Sequence, residues 1–376
     1  MVRPDRIRLV VLFGGQSAEH EVSCTTAAHV LNAADPQRYE VLPVGITREG
    51  TWVRAEGALE ALRRGAYELP GGAGPAASEA GTGETTVAPL QATGTAVEPL
   101  PVVSPSSSDL PVVVMPLLHG TYGEDGTVQG LLELAGVPYV GAGVLSSALC
   151  MDKVKAKEVL AAHGLPHARW VAIHASEIDD AAAAIDATGL ACPLFVKPAN
   201  LGSSVGVSKV HTPAEMPDAL ALASSYDEWL VVEEAIDGRE IEVAVLGNRE
   251  PRASLPGEIV PSHEFYDYDD KYIDGTCELR VPAPLDVEET AQVRELACQA
   301  YRALRCEGMA RADFFFEEAG RGFLVNELNT IPGFTPGSMY PKLWEATGLD
   351  YPQLIDELVD LAIERHERRS RFTTKR

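Results

Sequence analysis

The residues with the clearest potential for chemistry lie in one C-terminal segment, 309–329, which reads MARADFFFEEAGRGFLVNELN. Two apolar runs flank a short glycine-containing stretch, a pattern that predicts a β-hairpin. Because strand side chains alternate between faces, Arg311 and Asp313 share one face of the first strand, and Glu327 and Asn329 share one face of the second. If the two faces coincide, an arginine, two carboxylates and an amide oxygen meet on one patch.

Such a patch is typical of a magnesium site beside a phosphate. Mg²⁺ prefers oxygen ligands and usually takes the rest of its ligands from water and nucleotide phosphates. The arginine would hold a phosphate or a developing oxyanion. The plainer alternative is a half-exposed hairpin on which Arg311 and Asp313 only pair with each other. The rest of the chain favours the first interpretation.

Composition limits the possible classes of protein. A chain of 376 residues is long enough for two or three domains. Its net charge of −24 argues against nucleic acid or an anionic membrane as partner. The six cysteines lack C-x-x-C spacing, so we expect neither a disulfide framework nor a zinc site. The apolar run near the N-terminus is too short for a membrane span and enters a glycine turn, which predicts a strand and a cytoplasmic protein.

A β-loop-α unit opens the chain. Residues 7–13 read as a buried parallel strand, and a Gly-Gly-Gln-Ser turn leads into a helix to about Ala33, with Ser17 as its cap. The lone Gly-Gly pair lacks the rest of a dinucleotide fingerprint. Glu19 and Glu21 lie in the first turn of the helix. Either both complement the helix dipole, or one holds a cationic group such as a substrate amine.

Further strands are predicted at 39–46, 51–53 and 112–118. His119 follows the last of these, at the strand end where open α/β sheets place ligands, although a lone loop histidine is more often structural. Between them, residues 65–109 are rich in Gly, Ala, Pro, Ser and Thr. This composition predicts a flexible surface insertion, with a short hairpin near 97–103 and no chemistry.

The middle of the chain has the composition of a phosphate-binding loop. Lys197 ends a strand, and the loop ANLGSSVG at 199–206 follows, with Ser203 and Ser204 between its glycines. Backbone N–H groups approach phosphate oxygens closely in such loops. The Gly-Lys-Ser order of a P-loop is missing, and a plain hairpin turn is the alternative.

A Lys- and Glu-rich helix begins near Lys153. A lysine in such a helix is ordinarily exposed to solvent.

Three later segments also hold candidate binding residues. The strand at 230–234 ends in acids and could pair its backbone with an adenine edge, while Glu240 could hold a ribose hydroxyl. The aromatic and charged run 263–272 reads as a lid loop in which Lys271 and Tyr272 touch ligand, or as an ordinary loop. After the hairpin, a rigid loop enters a helix at Ser338, where a carboxylate could bind. The final helix covers 351–364, and the basic tail is expected to fray.

In this order, the segments resemble the D-alanine–D-alanine ligase family of the ATP-grasp superfamily. The resemblance runs from Gly14 to about Leu361 and rests on the motifs GGQSAEHEVS, LHGTYGEDG, MDK, VKPxxxGSSVG, FYDYDDKY and NELNTIPGFT. It implies an α/β (α+β) chain of three domains, with ATP and two metal ions between the second and the third. These are an N-terminal Rossmann-like parallel-sheet domain at 1–149, a central ATP-grasp subdomain at 150–229, and a C-terminal catalytic subdomain at 230–376 with a lid loop at 262–277.

The resemblance also implies residue roles. The nucleotide would be bound through its phosphates by Lys153, Lys197, Lys271 and Ser204, and through adenine and ribose by Glu233, Ile236 and Glu240. The Mg²⁺ or Mn²⁺ ligands would be Asp313, Glu327 and Asn329. Around the amino acids, Arg311 and the Gly333 amide would face the oxyanion. Glu19 would bind the ammonium of the first substrate, with Ser203 and Tyr272 linking it to the lid. His119 would lie near the carboxylate of the first substrate and Ser338 near that of the second.

The implied reaction joins two D-alanines to D-alanyl-D-alanine, a peptidoglycan precursor, through a D-alanyl phosphate. A D-alanine–D-lactate ligase is the nearest alternative, but depsipeptide ligases generally lack a tyrosine at the position of Tyr272. Glu19 and the lid argue against an ATP-grasp ligase for another acid and amine. The intact set of Arg311, Asp313, Glu327 and Asn329 argues against a nucleotide sensor without turnover, which release of ADP with D-alanine would exclude. A homodimer is expected from the resemblance alone.

Overall fold

The structure, a computed structural model, describes residues 6–58, 90–261 and 277–372. Its strands are β1 Ile7–Gly14, β2 Tyr39–Ile46, β3 Trp52–Arg54, β4 Thr95–Ala96, β5 Val112–Pro116, β6 Trp170–His174, β7 Leu194–Pro198, β8 Ser208–Val210, β9 Trp229–Glu234, β10 Arg239–Gly247, β11 Arg252–Ala253, β12 Gly257–Val260, β13 Glu278–Arg280, β14 Gly308–Glu317 and β15 Gly322–Asn329. Its helices are α1 His20–Ala33, α2 Pro99–Val103, α3 Thr127–Ala135, α4 Val144–Met151, α5 Lys153–Ala162, α6 Ala181–Thr188, α7 Met216–Ser224, α8 Val287–Ala303, α9 Met339–Ala346 and α10 Tyr351–Ser370. Within these ranges, no helix combines the length and the apolar character that a membrane crossing requires.

The chain divides into two compact units. Unit 1 holds residues up to 142, residues 307–309 and residues from 331 onward; unit 2 holds 143–306 and 310–330. The C-terminal helices therefore group with the N-terminal segment. The three-domain division predicted from the sequence stays a prediction.

Unit 1 is built on a five-stranded sheet in the order β4-β3-β2-β1-β5. The central strand β1 runs parallel to both β2 and β5, and its apolar side chains are almost all fully buried. Strands covered on both faces are continuous apolar runs, so the predicted buried parallel strand is confirmed. The carboxyl ends of β1 and β5 lead directly into the segments that contain Glu19 and His119.

Unit 2 contains two sheets. Four antiparallel strands lie in the order β6-β9-β7-β8, and a larger sheet has the order β13-β12-β10-β14-β15, with β11 beside β10. Three of the four aromatic side chains of the β14–β15 hairpin, Phe314, Phe316 and Phe323, are buried in the core of the larger sheet. This packing fixes which face of the hairpin is left for its polar residues.

Three local predictions were wrong. Ser17 does not cap α1, because Glu19 occupies the N-cap position and the Ser17 hydroxyl donates to the backbone oxygen of His119. No hairpin forms near 97–103; Pro99 starts the short helix α2, which buries Val102 and Val103. The last helix does not fray after 364 but continues to Ser370. The part of the predicted insertion that covers residues 59–89 lies outside the described residues.

Candidate active site

The β14–β15 hairpin brings its four predicted residues onto one patch. Arg311 lies directly opposite Asn329, and Asp313 lies directly opposite Glu327. The register shifts immediately after Asp313, where an extra residue in β15 makes a bulge. Bulges of this kind are common beside active sites, where they re-aim side chains. The structure thus confirms that the two polar faces coincide, and it places two carboxylates and an amide oxygen together.

Arg311 is held by two acidic side chains. Its Nε and Nη2 donate to the two carboxylate oxygens of Asp313 at 2.7 Å each. Its Nε also lies 3.1 Å from Oε2 of Glu242, a buried residue on β10. The pairing that the plainer interpretation predicted therefore exists, but the pair is largely buried and has a second carboxylate beside it. A bidentate pair of this kind fixes the plane of the guanidinium group.

Lys153 connects the hairpin to the glycine- and serine-containing loop. Asp152 caps α5 through its side chain, and Lys153 is the first residue of the helix, as the sequence predicted. The Lys153 ammonium donates to the Leu201 backbone oxygen at 2.7 Å and lies 3.7 Å from Oε2 of Glu327. One cation therefore contacts both the predicted phosphate loop and a predicted metal ligand.

The predicted phosphate loop has an unusual backbone. Both Ser203 and Ser204 have positive φ, 51° and 57°, in the left-handed region, and Gly206 follows at 71°. Non-glycine residues rarely adopt this conformation, and successive examples tend to occur where backbone groups are arranged for binding. The next strand, β8, does not start until Ser208, so the loop extends beyond Gly206.

Glu233 is a buried carboxylate between two lysines. Antiparallel pairing places Glu233 of β9 opposite Phe195 of β7, so Lys197 lies diagonally across on the same face. Lys197 donates to Oε1 of Glu233, and Lys157 of α5 lies 2.8 Å from Oε2. Burial by itself would raise the pKa of Glu233, but the ammonium groups of Lys157 and Lys197 outweigh it and hold that pKa well below its ordinary range. Burial would lower the pKa of Lys197. The negative charge of Glu233, together with smaller effects of Glu327 and Glu240, outweighs burial and raises the pKa of Lys197.

Glu240 and Ile236, the other predicted nucleotide residues that the structure describes, lie in and just before β10 of unit 2. Glu240 is near the start of β10, close enough to act electrostatically on Lys197. Ile236 is half-buried in the short connection between β9 and β10. Lys271 and Tyr272 lie outside the described residues, so their roles stay predictions.

Unit 1 brings the predicted substrate residues close together. Gly120 approaches Glu19 so tightly that a side-chain carbon there would lie 3.0 Å from Oε2 of Glu19. The next residue back, His119, is buried, and its Nδ1 lies 3.0 Å from the backbone oxygen of Ile331. Ile331 opens the loop that contains Gly333, where an added carbon would lie 3.1 Å from Oγ of Ser338. Contacts within unit 1 therefore link Glu19 to Gly120, and His119 to the start of the loop that contains Gly333.

The donor set of the hairpin fits a magnesium ion. Over the described part of the chain, no group of three or more His, Cys, Asp or Glu side chains is arranged to hold a metal. Asp313 and Glu327 supply two carboxylates, and the third candidate is the amide of Asn329. A set of few carboxylates with an amide suits Mg²⁺, which keeps waters and phosphates as its other ligands, better than it suits zinc.

Sequence reasoning missed two residues that support this site, Lys157 and Glu242. Lys157 lies in the Lys- and Glu-rich helix, where the sequence analysis assigns it no role. Its position carried a signal, since it lies three residues after Val154 and three before Leu160, on the buried stripe of α5. Glu242 is two residues after Glu240 on β10 and so shares its face. Its approach to Arg311 required knowledge of which strand neighbours β14.

Two family models together match most of the chain. The family model described as D-ala D-ala ligase N-terminus matches residues 8–142, and the one described as D-ala D-ala ligase C-terminus matches residues 159–360. The chain belongs to the D-alanine–D-alanine ligase family. Family membership confirms the predicted ATP-grasp α/β fold and shows that the chain is an ATP-dependent ligase.

Individual relatives of the family cover nearly the whole chain. The D-alanine–D-alanine ligase of a Thermoanaerobacter species is 48% identical over 371 residues, which are 98% of this chain and 99% of that protein. The D-alanine–D-alanine ligase of Streptomyces avermitilis is 47% identical, with 96% and 95% covered. Among solved structures, the D-alanine–D-alanine ligase from Coxiella burnetii is 37% identical with a TM-score of 0.75, covering 98% and 97% of the two chains. The VanG D-Ala:D-Ser ligase from Enterococcus faecalis is 33% identical with a TM-score of 0.76, covering 95% and 99%.

Proposed function

We propose that this chain joins two D-alanine molecules to D-alanyl-D-alanine, the dipeptide precursor of peptidoglycan, at the expense of ATP. A carboxylate oxygen of the first D-alanine attacks the γ-phosphorus of ATP, ADP leaves, and a D-alanyl phosphate forms. The amine of the second D-alanine then attacks the acyl carbon. Phosphate leaves from the tetrahedral intermediate, and the amine loses a proton. The first step is needed because a carboxylate oxygen is a poor leaving group and phosphate is a good one.

The observation that carries this proposal is the register of the β14–β15 hairpin. It puts Arg311, Asp313, Glu327 and Asn329 on one patch, with Lys153 at 3.7 Å from Glu327. A phosphoryl transfer needs cations around the phosphates more than it needs a side-chain nucleophile. Arg311 supplies a positive charge for the oxyanion of the second step, and one such donor typically contributes about 3 kcal/mol of transition-state stabilisation.

The metal assignment is part of the proposal. Asp313, Glu327 and Asn329 would hold two Mg²⁺ or Mn²⁺ ions. When bound, these ions would offset the charge between the attacking carboxylate and the triphosphate. The protein's own contribution is to fix the three oxygen donors by strand pairing, before any ion arrives.

Nucleotide recognition is assigned to the remaining residues of unit 2. Lys153, Lys197, Lys271 and Ser204 would hold the phosphates, and Glu233, Ile236 and Glu240 would serve adenine and ribose. The left-handed backbone at Ser203 and Ser204 supports this assignment, because such strained conformations of non-glycine residues cluster at ligand-binding sites.

Amino-acid recognition is assigned to unit 1 and to the lid. Glu19 would bind the ammonium of the first D-alanine, with Ser203 and Tyr272 linking it to the lid. His119 and Ser338 would lie near the first and second carboxylates, and the Gly333 amide would donate to the oxyanion. The tight approach of Gly120 to Glu19 and of Gly333 to Ser338 supports these roles, since a larger side chain at either glycine would crowd the polar group beside it. We further propose a homodimer in the cytoplasm, where ATP is supplied; sedimentation equilibrium tests the dimer.

The test is product identification. The purified chain is given ATP, Mg²⁺ and D-alanine, with or without D-lactate or D-serine, and products are identified by mass. We expect ADP, phosphate and D-alanyl-D-alanine near neutral pH. A mixed product as the main species would keep the chemistry and overturn the inference from Tyr272. Absence of D-alanine-dependent ADP would overturn the proposed substrate.

A further inference from the structure

Lys157 is a buried lysine that has no task in the reaction proposed above. Its side chain is 4% exposed, and it lies one helical turn after Lys153 on α5. Lysines are almost never this deeply buried unless they are paired. Its ammonium lies 2.8 Å from Oε2 of Glu233, whose side chain is 2% exposed. The contact is therefore a buried ion pair between a helix and a strand.

The two oxygens of Glu233 have different partners. Lys197 donates to Oε1, and Lys157 contacts Oε2. The two lysines differ in access, because the Lys197 side chain is 14% exposed and the Lys157 side chain is 4% exposed. Lys197 is thus able to reach a ligand directly, whereas Lys157 has almost no surface to offer one. Any effect of Lys157 on a ligand must pass through Glu233.

Lys153 and Lys157, one turn apart on helix α5, contact different parts of the proposed nucleotide site. Residues four apart lie on the same helix face, so Lys153 and Lys157 project side by side. Lys153 reaches Leu201 and Glu327, on the phosphate and metal side. Lys157 reaches Glu233, on the adenine side. The rigid helix sets the spacing between these two sides.

We propose that Lys157 is a positioning residue that makes the site prefer adenine nucleotides. It keeps Glu233 ionised and oriented so that the carboxylate accepts a hydrogen bond from the exocyclic amino group of adenine. This inference rests on the proposed role of Glu233. An ionised carboxylate only accepts hydrogen bonds, so it matches the amino group of adenine and opposes the 6-oxo group of guanine. A purine that has hydrogen in place of the amino group donates no hydrogen bond to the Glu233 carboxylate, so its nucleotide should bind more weakly than ADP.

The experiment measures binding of ADP and of purine riboside 5′-diphosphate, which lacks the amino group, by titration calorimetry. The variants are K157M, which keeps the side-chain length without the charge, and K155M as control. Lys155 is exposed on the same helix and pairs with Glu158. We expect the wild type to prefer ADP by about tenfold, the order expected for one charge-assisted hydrogen bond. In K157M this preference should fall to within about twofold, mainly through weaker ADP binding. K155M should behave as wild type.

A purely structural role for Lys157 gives a different result. K157M would then bind ADP and purine riboside 5′-diphosphate with the wild-type ratio of affinities, whatever its loss of thermal stability. That outcome would overturn the proposal. So would a wild type with no preference for ADP, since Glu233 would then have no amino group to recognise.

A second comparison covers the case in which K157M does not fold. E233Q removes the buried negative charge, so the double variant K157M/E233Q leaves no unpaired carboxylate. The proposal expects E233Q alone to lower the preference for ADP, because a neutral amide oxygen is a weaker acceptor than a carboxylate, and K157M to change the ratio no further in that background. A further drop would contradict an action through Glu233. Because these measurements need no turnover, a chain that binds ADP as expected but makes no dipeptide would refute the proposed function and leave this inference intact.

Discussion

Substitution of Glu327 tests the proposed metal site most directly. It lies opposite Asp313 and 3.7 Å from Lys153. Glu327→Ala removes an oxygen donor and should lower kcat by at least about 10²-fold, comparable to the loss of one electrostatic contact in a transition state. The fold should persist, because the side chain is 37% exposed. Steady-state kinetics and circular dichroism provide the two readouts.

The matched control is Glu317→Ala on the same hairpin, where the carboxylate pairs with Arg321 beside the turn. It should keep wild-type kcat. If Glu327→Ala also kept it, the metal assignment would be wrong.

Glu242 should affect the rate without affecting nucleotide binding. It lies 3.1 Å from the Nε of Arg311, so Glu242→Gln keeps its shape and weakens its hold on the guanidinium. We expect kcat to fall about tenfold, or roughly 1.4 kcal/mol, with the KM for ATP changed less than about twofold. Glu258→Gln is the control, since Glu258 is equally buried in the same sheet but pairs with Arg239. Equal effects of the two substitutions on kcat would contradict the positioning of Arg311 by Glu242.

Glu233 should make part of the stability depend on pH. Its pKa in the folded state lies below its ordinary range, so its contribution is complete above the unfolded-state pKa of about 4.3 and is lost as pH falls toward the folded-state value. Glu233→Gln breaks a buried ion pair and should cost about 3–5 kcal/mol at pH 6. The difference from wild type in the free energy of unfolding should shrink by pH 3.5. Urea denaturation at both pH values checks this, with exposed Glu345→Gln as control. A difference that is the same at both pH values would count against the ionised pair.

At the scale of elements, a buried arginine attaches α10 to the backbone around residue 140, although the sequence pattern of the helix does not predict a buried arginine. Arg365 is 3% exposed and donates to the backbone oxygens of Tyr139 and Gly141 within unit 1. Arg365→Met removes both hydrogen bonds and should destabilise the protein by about 2–4 kcal/mol in guanidinium denaturation. Arg371→Met, at an exposed position just after the helix, should stay within about 0.5 kcal/mol of wild type. A similarly small effect at Arg365 would mean that the two carbonyls find other donors.

Elements were predictable where one local pattern dominated. The buried strand predicted at 7–13 is observed as β1, and the hairpin predicted at 309–329 from its alternating faces is observed as β14 and β15. Prediction failed where a distant contact overrode the local preference. Ser17 would cap a helix in isolation, but its hydroxyl is engaged by the backbone of His119. Lys157 looks like a surface lysine until Glu233 supplies its partner.

At the scale of the whole molecule, the order of the motifs identified the family, but the grouping of the elements did not follow from it. The last helices return to the N-terminal unit through contacts far apart in sequence, such as Arg38 with Asp356 and Asp360. No periodicity or cap signals such a return. The chemistry assigned to unit 2 was more predictable, because Arg311, Asp313, Glu327 and Asn329 lie within one hairpin.

The most direct test of the proposed reaction follows the oxygen atoms of D-alanine. If D-alanine carries ¹⁸O in both carboxylate positions, attack on ATP joins one labelled oxygen to phosphorus, and the second step releases it with the phosphate. Mass spectrometry of the inorganic phosphate should therefore show one ¹⁸O for each dipeptide formed. Unlabelled phosphate alongside D-alanyl-D-alanine would exclude the D-alanyl phosphate, and no dipeptide at all would contradict the assigned reaction.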